Sequence, residues 1–332
     1  DIKNHNGFPW IVIVLVMEVV VVVLASVIRI WQYHRASRDY MLVPSEEPRL
    51  HLTDPPLPED AVVASEQLKL GKQIGKGSYG EVFEGVWNSK KVAVKRITCP
   101  VGNEEFVAEF MHEASLMSSL RHPNIVQFLA ASIKPPYFFI VTELCPLGNL
   151  DNLLFLPTLD LSLRQRIKFG IQTCKGMIYL HSLNIIHRDL KTSNLLVDKS
   201  YRVKVADFGI SRFVDSEKTM SYVGSAHIIA PEILKKQKYT AKADVYSFAI
   251  TFWEIILRKK VYAGMTMFEV FQAAARGERP PLDEIAALSQ PLAQIIAKCW
   301  YPDPEGRPTF TQITEELKEI SHQQSRDSRS FS

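Results

Sequence analysis

Absences narrow this sequence before its motifs do. Its four cysteines, Cys99, Cys145, Cys174 and Cys299, form no C-x-x-C pair and no metal-ligand spacing. That excludes a disulfide or zinc scaffold and fits a reducing compartment. Neither sign of charge is in excess: 39 Lys and Arg against 36 Asp and Glu leave a formal net charge of +3. This balance carries no electrostatic footprint for nucleic acid, and no nucleic-acid partner is expected. Internal repeats are absent too. At 332 residues the chain is too long for one small core, so two or three structural units are expected. It opens on Asp1 rather than Met, and the expectation is a piece of a longer or processed chain.

One long apolar run is present. Residues 8–28 are almost all Val, Ile, Leu, Met, Ala or Trp, interrupted by Glu18 and Ser26, and can cross a hydrocarbon core of about 30 Å as a helix. Fifteen of them are Phe, Ile, Val or Leu. At about −0.3 to −0.6 kcal/mol each they give roughly −5 to −9 kcal/mol, against about +3 for one central carboxylate. Insertion wins, and a single membrane-spanning helix over 8–30 is expected. A cleaved signal peptide fits less well, because the run exceeds a usual apolar core and lacks a small-x-small cleavage site. Trp10 on one side and Trp31 with Tyr33 on the other resemble interfacial belts, and Arg29, Arg35 and Arg38 lie just after the span. The positive-inside bias puts everything C-terminal in the cytoplasm. Glu18, at mid-bilayer, either pairs with its copy across a dimer when protonated or stands as a tolerated lone carboxyl.

Residues 36–65 carry Pro44, Pro48, Pro55, Pro56 and Pro58 among Ser, Asp and Glu, the composition of a tether. The alternative is an irregular strap docked through Leu50, Leu52 and Leu57. From Leu68 the pattern turns to strands, with residues 68–74 and 81–86 flanking Gly75-Lys76-Gly77-Ser78-Tyr79-Gly80. A dinucleotide-binding glycine motif would open a helix. Here β-branched and aromatic residues follow, so the glycines sit in a hairpin whose backbone N–H groups can cover phosphates, and Val82 completes G-x-G-x-x-G-x-V. The strand 92–97 holds Lys95 among apolar neighbours, a cation kept for a partner rather than an exposed-face residue. Helical spacing over 104–121 puts Phe106, Phe110, Ala114, Met117 and Leu120 on one face, with Glu113 among them. A carboxylate turned towards a core is costly unless paired, and Lys95 is the available opposite charge; Glu109 is the other candidate for it. The buried-strand pattern 137–144 ends at Pro146 and Gly148, which suggests a hinge between a small β-rich lobe and the rest. Beyond it, apolar patterns of helix length cover 161–181, 240–257, 267–276 and 292–300. The Ser-, Arg- and Gln-rich residues 321–332 are expected to be disordered.

Two short stretches carry chemistry. His187-Arg188-Asp189-Leu190-Lys191-Thr192-Ser193-Asn194 sets a carboxylate, an ammonium and an amide within eight residues on a loop. An Asp to orient a hydroxyl, a Lys to offset phosphate charge and an Asn to hold a metal suit phosphoryl transfer, which rests on positioning and electrostatics. Asp207 follows the β-branched residues 203–205 and precedes Phe208-Gly209, where a carboxylate can reach a cation across a cleft; an Asx-turn is the plainer reading.

With these residues in order, the chain over 66–320 resembles a eukaryotic protein kinase domain. The resemblance implies an α+β, two-lobed fold, with a β-rich N-lobe over 66–144 and a helical C-lobe over 146–320, and ATP with Mg²⁺ as cofactors. It implies that Asp189 is the catalytic base, that Lys191 contacts phosphate and that Lys95 binds phosphate with Glu113 as its helix partner. Asn194 and Asp207 are then the Mg²⁺ ligands. The nucleotide site takes in Ile74, Gly75, Lys76, Gly77, Ser78, Tyr79, Gly80, Val82, Ala93, Lys95, Thr142, Glu143, Cys145 and Leu196, with Glu143 and Cys145 offering backbone groups to adenine. Ala230-Pro231-Glu232 matches the end of the activation segment and Arg307 the buried partner of that Glu. Asp244-Val245-Tyr246-Ser247-Phe248, Cys299-Trp300 and Arg307-Pro308-Thr309-Phe310 resemble the tyrosine-kinase-like group of serine/threonine kinases. The span before the domain resembles receptor-like kinases. Gly224-Ser225-Ala226-His227-Ile228-Ile229 departs from the usual G-T-x-x-Y/W-M, and Ala249 stands where Gly is common.

A membrane-anchored, single-pass serine/threonine kinase acting on protein substrates in signalling is therefore expected. Tyrosine or dual specificity and a non-catalytic pseudokinase scaffold are the alternatives. Arg188 implies a phosphate on the activation segment, with Thr219 or Ser221 favoured over Ser216 and Tyr222, and self-association for phosphorylation in trans.

Overall fold

The computed structural model describes residues 57–77, 80–98, 104–207, 226–235 and 240–330, all within one unit, Leu50–Ser332. The run 8–28, the linker up to 56, Ser78, Tyr79 and the hydroxyls at 216, 219, 221 and 222 lie outside the described residues. Among the described residues, no helix is long and apolar enough to cross a membrane.

The first lobe is a five-stranded antiparallel sheet: β1 (Lys69–Gly77), β2 (Gly80–Trp87), β3 (Lys90–Thr98), β4 (Phe128–Ser132) and β5 (Tyr137–Glu143), ordered β1-β2-β3-β5-β4. Asn88 and Ser89, both at positive φ (48° and 61°), make the two-residue turn that pairs Trp87 with Lys90. That left-handed pair matches the strand twist. Alternation then divides the sheet's faces. Val92, Val94, Phe139 and Val141 join Val63, Leu68 and Ala130 in a small outer cluster. Ile97, Phe138 and Ile140 face the main core with Phe110, Ala114 and Met117 of α1 (Glu104–Ser119).

Residues 57–65 depart from the expected tether. Leu57, Ala61 and Val63 are buried, and the Val63 N–H donates to the Ala131 carbonyl of β4 at 2.8 Å. Docking of this strap through Leu57 removes apolar surface from water, so packing reaches at least nine residues before Glu66.

The second lobe is helical: α2 (Leu150–Leu154), α3 (Leu163–Ser182), α4 (Pro231–Leu234), α5 (Lys242–Leu257), α6 (Met267–Arg276), α7 (Asp283–Leu288), α8 (Gln290–Cys299) and α9 (Phe310–Ser330). A two-stranded ribbon, β6 (Leu195–Val197) with β7 (Val203–Val205), lies between α3 and α4 in the chain. Ser162 starts α3 by accepting from the Gln165 N–H, and Thr266 with Glu269 forms a capping box on α6. Helix α5 is buried from Ala243 to Ile256 and forms the lobe's axis. It approaches α3 at Gly170, where any Cβ would lie 2.3 Å from the Phe252 ring. The last helix corrects the disordered tail expected over 321–332, since α9 continues to Ser330. Phe310, Ile313, Leu317 and Ile320 keep an i, i+3, i+4 stripe in the core, and the Ser, Arg and Gln residues beyond extend a helix already nucleated.

Candidate active site

Register on the sheet assembles the upper wall. Gly75 pairs with Val82, Val82 with Lys95, and Ala93 with Thr142. Since directly paired residues share a face, Val82, Ala93, Lys95 and Thr142 line the face that Ile97 and Ile140 present to the main core. Gly80 closes the hairpin at φ 138°, where a Cβ would fall 2.1 Å from the Arg96 carbonyl oxygen, so only glycine fits. Ile74 is exposed, and Lys76 reaches Glu81 at 4.0 Å from an open surface. At the end of β5 Glu143 pairs with Lys204 at 2.7 Å. The hinge beyond it is stitched to β6: Leu147 N–H donates to Val197 O, Val197 N–H to Gly148 O, and Asn149 bridges Leu196. Cys145 is buried there, and burial, with the Glu143 charge beside it, pushes its thiol pKa up to about 12. Burial of this kind disfavours the reactive thiolate.

The lower wall comes from the loop before β6. Lys191 Nζ lies 2.7 Å from Asp189 Oδ2, and Asn194 Nδ2 donates to the same oxygen at 2.9 Å and to the Asp189 carbonyl at 2.8 Å. A 3₁₀ turn, Thr192–Asn194, presents these groups. The Ala206 N–H donates to the Asn194 carbonyl at 2.9 Å, and His187 Nε2 lies 3.0 Å from the Ala206 carbonyl. The loop 187–194 and the strand end before Asp207 are thus held together.

Lys95 Nζ and Asp207 Oδ1 are 2.7 Å apart, joining the two walls. The sequence paired Lys95 with Glu113; the structure adds Asp207, 112 residues away, and places Glu113 buried in α1 at 4% exposure. Burial raises the Asp207 pKa, but the Lys95 charge and hydrogen bond, helped by His187 and Lys191, outweigh it and hold the carboxyl below its ordinary value. Asp207 remains 46% exposed on the cleft, and the residue before it is bonded through its N–H to the Asn194 carbonyl. A carboxylate and an amide oxygen are hard donors that suit Mg²⁺, and the residues present fit that ion.

One residue the sequence used only as a group marker holds this site. Asp244, fully buried in the first turn of α5, accepts from the backbone N–H of His187 and of Arg188 at 2.8 Å each, and lies 2.8 Å from His181 Nε2. Arg188 and Asp207 both sit at positive φ, 68° and 56°, a conformation costing about 1–3 kcal/mol each that persists only where surroundings impose it. The lone charged residue among Ala243-Asp244-Val245-Tyr246-Ser247-Phe248 was the available signal.

Further out, Arg307 clamps Glu232 through two bonds, Nη1 to Oε1 at 2.6 Å and Nη2 to Oε2 at 2.8 Å. Of the departing segment, Ile228 and Ile229 are core residues, and Ser247 Oγ donates to the Ile228 carbonyl at 2.7 Å. The position where an aromatic is usual is a packing position here. His227 beside them has its pKa lowered to about 4, first by burial and then by Lys191 and Lys260.

A five-stranded lobe and a helical one, with a glycine hairpin on the first and a carboxylate–lysine–asparagine loop on the second, define a protein kinase domain. The comparisons agree. The pattern of the protein tyrosine and serine/threonine kinase family matches residues 68–317, and the chain belongs to that family. It is 43% identical over 257 residues to "Probable serine/threonine-protein kinase drkA" of Dictyostelium discoideum, covering 76% of this chain and 40% of that protein. Over 265 residues it is 40% identical to "Probable serine/threonine-protein kinase SIS8" of Arabidopsis thaliana, covering 79% and 26%. "Serine/threonine/tyrosine-protein kinase HT1" of the same plant is 39% identical over 259 residues, covering 76% and 66%. The chain thus spans less than half the length of the first two of these relatives.

Proposed function

We propose that this chain is a membrane-anchored protein serine/threonine kinase that transfers the γ-phosphoryl group of ATP to hydroxyls of a protein substrate. The convergence of Lys95 and Asp207 at 2.7 Å above an Asp189 bonded to Asn194 and Lys191 carries this reading. Lys95 and the glycine hairpin hold the triphosphate. Asp189 orients the acceptor hydroxyl and takes its proton as the oxygen bonds to the γ-phosphorus and the bond to the leaving ADP breaks. Lys191, already on Asp189, offsets charge on the moving group. Asn194 and Asp207 would hold Mg²⁺, which when bound neutralises charge on the triphosphate. The pairings at Lys95, Asp189, Asn194 and Asp207 are those a pseudokinase scaffold would have lost.

Serine and threonine acceptors are favoured by Lys191 following Asp189-Leu190 and by the names of the relatives. Dual specificity is the second reading, supported by the name of the plant relative that includes tyrosine. Anchoring rests on the run 8–28, with the kinase domain on the cytoplasmic side, and on the basic residues that follow it. The test uses the full chain with labelled ATP and Mg²⁺ and a mixed protein substrate. Phosphoserine and phosphothreonine after acid hydrolysis support the reading, and phosphotyrosine alone overturns the specificity. Flotation with vesicles should require residues 8–30; flotation without them would remove the anchor.

A further inference from the structure

Below the catalytic turn, three polar side chains form a line that the phosphoryl-transfer reading does not use. Thr192 Oγ1 lies 2.7 Å from Asp151 Oδ1 on α2 and 3.1 Å from Glu254 Oε2 on α5. Thr192 and Glu254 are each 3% exposed. Glu254 Oε1 accepts from the Val261 N–H at 3.2 Å, and Asp151 forms an ion pair with Lys260.

Counting hydrogens along this line decides its protonation. A threonine hydroxyl has one hydrogen. The shorter contact is to Asp151 Oδ1, the oxygen that also meets Lys260, so that hydrogen points at Asp151. Thr192 Oγ1 then turns lone pairs towards Glu254 Oε2. An ionised Glu254 would set lone pairs against lone pairs in a buried site, an arrangement that costs the desolvation of both groups. A proton on Glu254 resolves it, because Oε2–H can donate to Thr192 while Oε1 keeps the Val261 N–H.

We propose that Glu254 is a neutral carboxylic acid at the head of a hydrogen-bond relay, Glu254 to Thr192 to Asp151, and that this relay positions the catalytic turn. Thr192 begins the turn that carries Asn194 and directly follows Lys191, so fixing its hydroxyl fixes both groups against Asp189. Thr251 of α5 supports the same loop by donating to the Leu190 carbonyl at 2.8 Å. Burial raises the Glu254 pKa above its ordinary value, against the opposing Val261 N–H and Lys260. The charged groups facing it are Lys260, from the segment after α5, and Asp151, from α2, whose negative charge also favours the neutral form. Glu254 and Thr192 are positioning residues, and their role in turnover rests on the kinase reading.

The experiment compares the full chain with Glu254→Ala, Glu254→Gln and Thr192→Val, measuring kcat, KM for ATP and melting temperature between about pH 5 and about pH 8. Glu254→Ala and Thr192→Val should lower kcat about tenfold or more while KM for ATP stays within about twofold, since the glycine hairpin, Lys95 and Asp207 keep their hold on the nucleotide. Glu254→Gln should restore kcat, because its amide N–H₂ donates to Thr192 and its carbonyl accepts from Val261. A raised carboxyl pKa means the folded state binds the proton that the unfolded state releases. Wild type should therefore lose melting temperature relative to Glu254→Gln as pH rises above the ordinary glutamate range. Glu254→Gln as slow as Glu254→Ala, or a melting difference that does not change with pH, would show that the ionised carboxylate is what the site needs. If wild type transfers no phosphate, the kinase reading fails and the melting comparison still decides the relay.

Discussion

In the proposed kinase reaction Lys95 and Asp207 would hold the nucleotide, and each is shaped by the other. Lys95 is only 13% exposed, and its Asp207 partner keeps an ionised oxygen on the cleft. Replacing Lys95 by Met leaves Asp207 without that ammonium. Nucleotide affinity should fall by about tenfold or more, the scale of one charge-assisted contact of about 1.5–3 kcal/mol, measured by calorimetry with a non-hydrolysable ATP analogue. His227 gives a pH prediction with a defined sign. Its pKa lies at about 4 against an ordinary 6.5, so the unfolded state binds the proton first. Stability should fall as pH drops from about 6.5 towards about 4, and His227→Gln should fall less over the same window in urea unfolding. An equal fall in both proteins would place the histidine in open solvent.

Helix α5 does the work of several loops. Through Asp244, Ser247, Thr251 and Glu254 it bonds, in order, the backbone of His187 and Arg188, the Ile228 carbonyl, the Leu190 carbonyl and the Thr192 hydroxyl. Asp244→Ala strands the buried His187 N–H and the half-buried Arg188 N–H and should cost about 3–5 kcal/mol in chemical denaturation, with turnover lost well before unfolding. Asp244→Asn keeps one acceptor oxygen and should cost less. The linear motifs around Lys95, Asp189 and Asp207 were legible in the sequence because each needs residues only a few positions apart. The partners were not. Lys95 meets Asp207 across 112 residues, and Thr192 meets Glu254 across 62, separations no local periodicity records. Helix α5 itself was legible as 240–257, while the inward direction of its polar residues follows from which loops pack on it.

On the scale of the whole molecule, the domain begins earlier and ends later than composition suggests. Five prolines and scattered acids made 36–65 resemble a tether, yet Leu57 is 6% exposed and Ala61 and Val63 are buried against the sheet lobe. Leu57→Ala should cost about 2–5 kcal/mol of stability, read from the denaturant midpoint, and a neutral result would return that segment to the linker. At the other end, polar composition hid a helix whose apolar stripe had already been docked. The two-lobed architecture followed from the change of period at the hinge near Pro146, which is why the lobe boundary was visible when the domain edges were not.

All of these scales meet in one claim, that Asp189 handles the acceptor hydroxyl while Lys95 and Asp207 hold the nucleotide. Asp189→Asn keeps the side chain's shape and its contact with Asn194 but removes the proton acceptor. The most direct measurement is single-turnover transfer from labelled ATP by wild type and Asp189→Asn, with nucleotide affinity measured on the same samples. The account predicts a rate lower by about 10²–10⁴-fold in the variant, with ATP affinity within about threefold of wild type. Transfer within a few-fold of wild type would contradict it.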